Sequence, residues 1–292
     1  MEFAKLLDAE GIPPATAALA MHRPAQATTR NALLDMAASE PALFDLYQST
    51  HARMPEATLR KRGLMASFIV RGEGEAVFLG LYAAYVSVEK ATVADLKAHG
   101  FAALMDRLNA AQRHKTETLV KLEGRAIFYL ERQDQMDNLV GRVIVALPGG
   151  RTYMRLAETT PLEVLELRRT RQITPPIPAW DQLKMDRAQL QTLPRDWAIT
   201  LRNWPGIYLI LDRDDGARYV GAAYGEENLL SRWRQHCAGE HGVTKELKRR
   251  NTYDFQFSIL ELLSPNASTE DVIAHERSWM DRLGTIEYGL NA

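Results

Sequence analysis

Two short strand-like runs near the C-terminus constrain this chain more than anything else in it. GIYLILD begins at Gly206 and RYVG begins at Arg218, and RDDG follows close behind the first run. Asp215-Gly216 between two alternating apolar runs is a strong hairpin signal, because the tight turn needs positive φ, which glycine adopts without steric cost. Side chains alternate along a strand, so Tyr208 takes one face while Ile207 and Leu209 take the other. In the second run Tyr219 and Gly221 share a face. A symmetric register brings the two tyrosines together beside a glycine that leaves room for a backbone or a ligand.

Two helical patterns follow. The first, about 226–237, carries Leu229, Leu230, Trp233 and Cys237 at the spacing of a buried stripe. Arg232 and His236 are four residues apart and stack on a neighbouring face. The second, STEDVIAHERSWMDRLG, has Ser268 or Thr269 to cap its start and Gly284 to end it. Val272, Ile273, Trp279, Met280 and Leu283 read as its buried stripe. Glu276 falls inside that stripe, where a carboxylate is costly without a compensating partner or metal.

GIY, the variant YVG, Arg232 with His236, the helical Glu276 and the terminal Asn291, in this order, resemble the GIY-YIG endonuclease superfamily. The resemblance covers about residues 204–291. YVG for the more usual YIG is a conservative exchange, and the four-residue Arg–His spacing is similar to that of some restriction enzymes of the superfamily.

The resemblance implies a small antiparallel sheet flanked by helices and a phosphodiesterase that uses one metal. Glu276 would bind the ion, Mg²⁺ or Mn²⁺, and a single carboxylate argues against a two-metal clamp. Tyr208 is the implied general base. A free phenol has a pKa of about 10, so positive charge from Arg232 or the metal is expected to lower it. Arg232 would grip the scissile phosphate. Tyr219 and His236 would position the water or the base, and Asn291 would hold the site together or contact phosphate. Each residue also has an ordinary reading: strand tyrosines pack cores, a buried acid pairs with an arginine, and Arg232 and His236 fit a solvated face.

Lys245, Lys248, Arg249 and Arg250 in VTKELKRRN form a strip suited to tracking phosphates, or a solvated helix face. The formal net charge of −1 excludes a binder that relies on whole-chain basicity, so nucleic-acid contact has to come from local patches of this kind.

Upstream the periodicity differs. MASFIV and AVFLGLYAAYVSV, joined by RGEGE, read as a hairpin. A helical stretch over 93–113 interrupts the strands, and RAIFYLE, LVGRVIVAL, RTYMRLAE and PLEVLEL resume them. These runs predict an α+β domain with a curled sheet or small barrel. RRTRQITPPIPAW, with three prolines and no period, marks the boundary. The expected organisation is therefore an N-terminal α+β domain over 1–167, a linker and helical connector over 168–200, and the nuclease-like domain over 201–292.

A compact nuclease site has little surface for reading sequence, so the first domain is the expected DNA-recognition module. Phe78, Tyr82 and Tyr85 are its candidate contacts, or its core, and an aromatic pocket there would suit a flipped, modified base. The expected partner is duplex DNA, plain or modified, with a homodimer or two successive visits for a double-strand break. Restriction or genome defence is the leading reading. A repair or mobile-element nuclease, or a nucleic-acid-binding protein with an inactive nuclease fold, are the alternatives. The single cysteine fits a reducing cytoplasm, and the absence of a long apolar run predicts no membrane span.

Overall fold

The computed structural model describes residues 1–72, 74–110, 117–225, 228–239 and 245–291. The chain divides into two compact units, Met1–Pro175 and Pro176–Ala292.

The first unit contains, in order, α1 (Phe3–Ala9), β1 (Ala17–His22), α2 (Ala27–Ser39), α3 (Pro41–Tyr47), α4 (Arg53–Arg62), β2 (Leu64–Gly72), β3 (Glu75–Val88), α5 (Val93–Ala98), α6 (Phe101–Asn109), β4 (Ile127–Arg132), β5 (Val143–Ala146), β6 (Met154–Leu156) and β7 (Val164–Leu167). Its sheet runs β6-β1-β2-β3-β5-β7, with β4 also on β3. The strand β1 pairs parallel with β2, and the other ladders are antiparallel. Phe68 and Phe78 enter one core with Phe3 and Leu7, while Ile69 and Val77 enter the other with Leu33, Phe44 and Phe101. Apolar layers on both faces explain why β2 reads as a continuous apolar run.

The curl comes from β3, which changes partner along its length. Residues 75–77 pair with β5 and residues 82–88 with β4. A register shift opposite Ser67 and Phe68 falls at Gly80, whose φ of +149 suits glycine. The single helix expected over 93–113 is two. Thr92 and Asp95 form a capping box for α5, and Gly100 at φ 88 separates α5 from α6.

The second unit comprises β8 (Lys184–Asp186), α7 (Arg187–Gln191), α8 (Arg195–Asn203), β9 (Gly206–Asp212), β10 (Arg218–Ala223), α9 (Asn228–Ala238), α10 (Lys245–Lys248), β11 (Phe255–Leu262) and α11 (Thr269–Arg282). Its antiparallel sheet has the order β10-β9-β11-β8, which leaves β10 at one edge. On one face Tyr208, Ile210, Phe255 and Phe257 pack with Leu229, Leu230 and Trp233 of α9. On the other, Ile207, Val220 and Ala222 pack with Val272, Trp279, Met280 and Leu283 of α11. The stripe on α11 is narrower than the sequence predicts. Ile273 is 50% exposed, because the helix lies over the sheet margin and only its inner flank finds a partner.

A candidate active site at the open edge of β10

The register places Tyr208 directly opposite Gly221 and Ile210 opposite Tyr219. The reason for the glycine is steric. A Cβ at Gly221 would collide with the Tyr208 phenol oxygen and lie 2.8 Å from the Tyr219 ring. Gly206 has a similar duty on the other side of β9. A Cβ there would meet the main-chain oxygen of Glu261, where β11 shifts register. Both glycines let neighbours approach closely; neither is simply a turn.

Tyr208 is fully buried, and its hydroxyl lies 2.7 Å from His236 Nε2. The ring centroid of Tyr219 is 6.4 Å from that of Tyr208 and 5.6 Å from that of His236. His236 is itself buried on α9, one turn beyond the exposed Arg232. Burial raises the Tyr208 phenol well above its ordinary value, and Tyr219 and Glu276 add to the rise. The charge and the hydrogen bond of Arg232 pull it back without reversing it. The shift runs opposite to the one expected from Arg232, because desolvation outweighs one half-exposed guanidinium.

Glu276 reaches the same place from the opposite face. It is half-buried, and its carboxylate accepts a hydrogen bond from the Ala222 amide. Burial raises its pKa, while Ala222 and Arg232 oppose that rise. Arg232 stays firmly protonated: its own desolvation is overcome by Tyr208, Tyr219 and Glu276. The phenol, the guanidinium and the carboxylate therefore act on one another across the edge of the sheet.

The C-terminal segment closes the rest of that edge. Leu290 N–H donates to Arg218 O at 2.8 Å. Asn291 Oδ1 accepts from Val220 N–H at 2.8 Å, and its Nδ2 donates to Val220 O at 2.7 Å. Residues 218, 220 and 222 turn the same way along the strand, so Leu290, Asn291 and Glu276 form one row. An unpaired strand edge is thereby covered. Asn291 spends both amide atoms on this backbone, which makes it a positioning group for β10.

Beside Arg232 lies a cavity of ≈ 440 Å³, lined by Ala222, Ala223, Tyr224, Ser231, Gln235 and Arg232 itself. Gln235 Oε1 accepts from Arg232 Nη1 at 3.3 Å. Sequence reasoning missed Tyr224, Ser231 and Gln235, although Ser231, Arg232 and Gln235 share one helical face by their spacing.

The four cations of the basic strip differ in their surroundings. Arg250 donates to Asp212 at 3.0 Å and to Asp215 at 2.6 Å, so its guanidinium ties down the β9–β10 turn. Asp212 is nearly inaccessible, which makes this pairing the answer to a buried charge. Arg249 is exposed and lies 3.7 Å from Glu246, and Lys248 is also exposed. The side chain of Lys245 lies outside the described residues. In the first unit Phe78 and Tyr82 are core residues, leaving Tyr85, 55% exposed, as the accessible one of those three aromatics.

The family model for the GIY-YIG catalytic domain matches residues 205–289. This part of the chain is a GIY-YIG domain. Two solved structures are similar to it. One is the catalytic domain of intron endonuclease I-TevI in a mutant form, at 25% identity and a TM-score of 0.26, covering 30% of this chain and 92% of that one. The other is the catalytic domain of homing endonuclease I-TevI, at 27% identity and 0.25, covering 30% and 95%. Among curated proteins no relative matches the chain.

The GIY-YIG domain is a nuclease module, and its site suits a divalent cation. The charge of Glu276 is only partly compensated, which a cation would remedy. No cluster of three or more His, Cys, Asp or Glu residues capable of holding a metal occurs among the described residues. Glu276 would offer a carboxylate oxygen to such a cation.

Proposed function

We propose that the chain is a metal-dependent DNA endonuclease of the restriction or genome-defence kind, whose first unit selects the target. The observation that carries this reading is the convergence of Tyr208, His236, Arg232 and Glu276 at one strand edge within the GIY-YIG domain. A divalent cation held by Glu276 would neutralise charge on the scissile phosphate and on the departing oxygen.

Arg232 lines the cavity and carries a permanent charge, so it grips the phosphate there. A water attacks phosphorus, a P–O bond forms, and the bond to the departing oxygen breaks. Tyr208 takes the proton from that water. The raised phenol pKa makes this unfavourable for a lone tyrosine, and His236 supplies the remedy. With the phenol donating to its Nε2, His236 accepts the Tyr208 proton as the hydroxyl receives one from water. The hydrogen bond from Arg232 steadies any phenolate character on the oxygen.

The lysine and arginine at 248 and 249 are exposed cations available to flanking phosphates. One site cuts one strand, so a duplex break calls for a homodimer or a second visit. The test is cleavage of plain and modified duplexes with Mg²⁺, with Mn²⁺ and with chelator. Activity that needs the cation and falls by about 10²–10³-fold in Glu276→Ala is expected. Full activity in that variant would remove Glu276 from the mechanism.

A further inference from the structure

The first unit holds a second cavity, of ≈ 390 Å³, within the range of about 300–1,000 Å³ typical of small-molecule pockets. Its floor is aromatic. Tyr153 stands between two histidines, with ring centroids 5.2 Å from His22 and 5.8 Å from His51, and Tyr47 lies 5.2 Å from His22. Phe101, Leu104 and Leu108 of α6 form an apolar wall.

Every polar group on this floor is neutral. Burial lowers His22 to about 3 and His51 to about 4, and raises the Tyr47 phenol to about 12 and Tyr153 well above its usual value. A buried network fixes His22. Ser67 Oγ donates to Gln48 Oε1 at 2.7 Å, and Gln48 Nε2 donates to Asp45 at 3.0 Å. Gln48 Oε1 is therefore an acceptor, so His22 Nε2, 3.4 Å away, carries the proton and Nδ1 keeps its lone pair. His51 Nε2 is buried with no hydrogen-bond partner among the described residues, a state that costs free energy unless something else supplies one. Among the described residues, the charged groups of the lining are Lys121, Arg125 and Glu117, none of them buried.

The pocket thus asks for a flat, uncharged, hydrogen-bonding ring with an anionic group attached. We infer that it receives a single nucleobase extruded from duplex DNA, with the adjoining phosphate held by Lys121 and Arg125. The inference rests on the reading that the chain acts on DNA. Stacking against aromatic rings supplies sequence-tolerant affinity, and His22 with His51 supplies discrimination by hydrogen bonds. Base extrusion separates target choice from phosphate chemistry, since the pocket and the site at β10 lie in different units.

The test measures affinity of the full chain in chelator for short duplexes. One position carries cytosine, 5-methylcytosine, 5-hydroxymethylcytosine, adenine or N6-methyladenine, and the matching deoxynucleoside monophosphates form a second arm. The wild type is expected to prefer one duplex. His51→Phe and Tyr153→Phe are expected to lose that preference, each by about tenfold, the scale of one hydrogen bond. Lys121→Ala with Arg125→Ala alters only non-buried side chains and is expected to weaken all duplexes alike. These variants retain the GIY-YIG residues, so their cleavage of unpreferred duplex in Mg²⁺ should persist. Unchanged duplex preference in correctly folded pocket variants would overturn the inference. So would loss of binding confined to the free monophosphates, which would make the pocket a nucleotide site. Failure of the wild type to cut any duplex is a separate result, and it counts against the nuclease reading instead.

Discussion

The two units bury polar side chains in opposite ways. In the second, a guanidinium and a carboxylate are kept beside a buried phenol, and each perturbs the others. Around the cavity of the first, two buried histidines and two partly buried tyrosines are held in their neutral forms. Charged groups held together at a low-dielectric edge suit a reaction in which negative charge moves. A neutral aromatic floor does little for such a reaction, but it discriminates between flat ligands by shape and hydrogen bonds. On the proposed reading, the contrast separates a place for chemistry from a place for choice.

The largest test of that separation removes the charges. Arg232→Ala and Glu276→Ala are each expected to lower the rate of DNA cleavage by about 10²–10³-fold, the scale of losing a charge-stabilising group. Both residues are only partly buried, so thermal melts should stay close to wild type. Tyr208→Phe keeps the ring and removes the proton acceptor, with an expected loss of about 10²-fold or more. His236→Ala leaves the Tyr208 ring and hydroxyl in place and should cost less. A rate in Tyr208→Phe equal to wild type would transfer the base role elsewhere and break the contrast.

A sharper probe is Gly221→Ala. The new Cβ would overlap the rings of Tyr208 and Tyr219, both held on rigid strands. Overpacking of this kind costs about 1–3 kcal/mol. Chemical denaturation should show that loss, together with reduced cleavage, since the phenol would be pushed away from His236. A variant as stable as wild type would mean that the hairpin repacks freely. Next in size is Arg250→Ala, which takes the guanidinium from Asp212 but leaves its hydrogen bond from the Asp214 amide at 3.0 Å. It is expected to lower stability by about 1 kcal/mol while leaving DNA affinity nearly unchanged. A marked drop in affinity would return Arg250 to the phosphate-tracking strip.

How much of this was legible in the sequence varied with the kind of signal. The hairpin was plain because Asp215-Gly216 specifies its own turn, and the stripe of α9 was plain from its spacing. The strand β11 has an alternating signal in FQFSILEL but carries none of the motif residues, so motif order does not reveal it. The strand β1 was harder. Its sequence AALAMH is rich in alanine, which favours helix, and only burial on both faces of the sheet makes it a strand. The positions of Tyr208, Tyr219, Arg232, His236 and Glu276 followed from motif order, but the upward shift of the phenol did not. That shift depends on how completely the second unit encloses the ring, which is a property of packing. Likewise Arg250 reads as one more cation in a basic run until the fold brings Asp212 and Asp215 to it.

The smallest expected effect concerns Glu276 itself and tests the metal without any substrate. Burial raises its folded-state pKa above the ordinary glutamate value of 4.5. Below that value both folded and unfolded chains carry the proton, and the group contributes nothing. As pH rises through the window, the unfolded chain ionises first, so the folded chain binds more protons and stability falls with pH. Above the raised pKa the full penalty is present. Glu276→Gln keeps an acceptor for the Ala222 amide and removes the charge, so in chelator at neutral pH it should melt slightly above wild type. The gap should close as pH drops to about 4.5 or below. Mg²⁺ or Mn²⁺ should then stabilise the wild type and leave the variant unmoved, because a ligand bound only by the folded state raises its melting temperature. Equal responses of both proteins to the cation would show that Glu276 does not hold it, and the comparison between a charged site and a neutral pocket would lose its functional meaning.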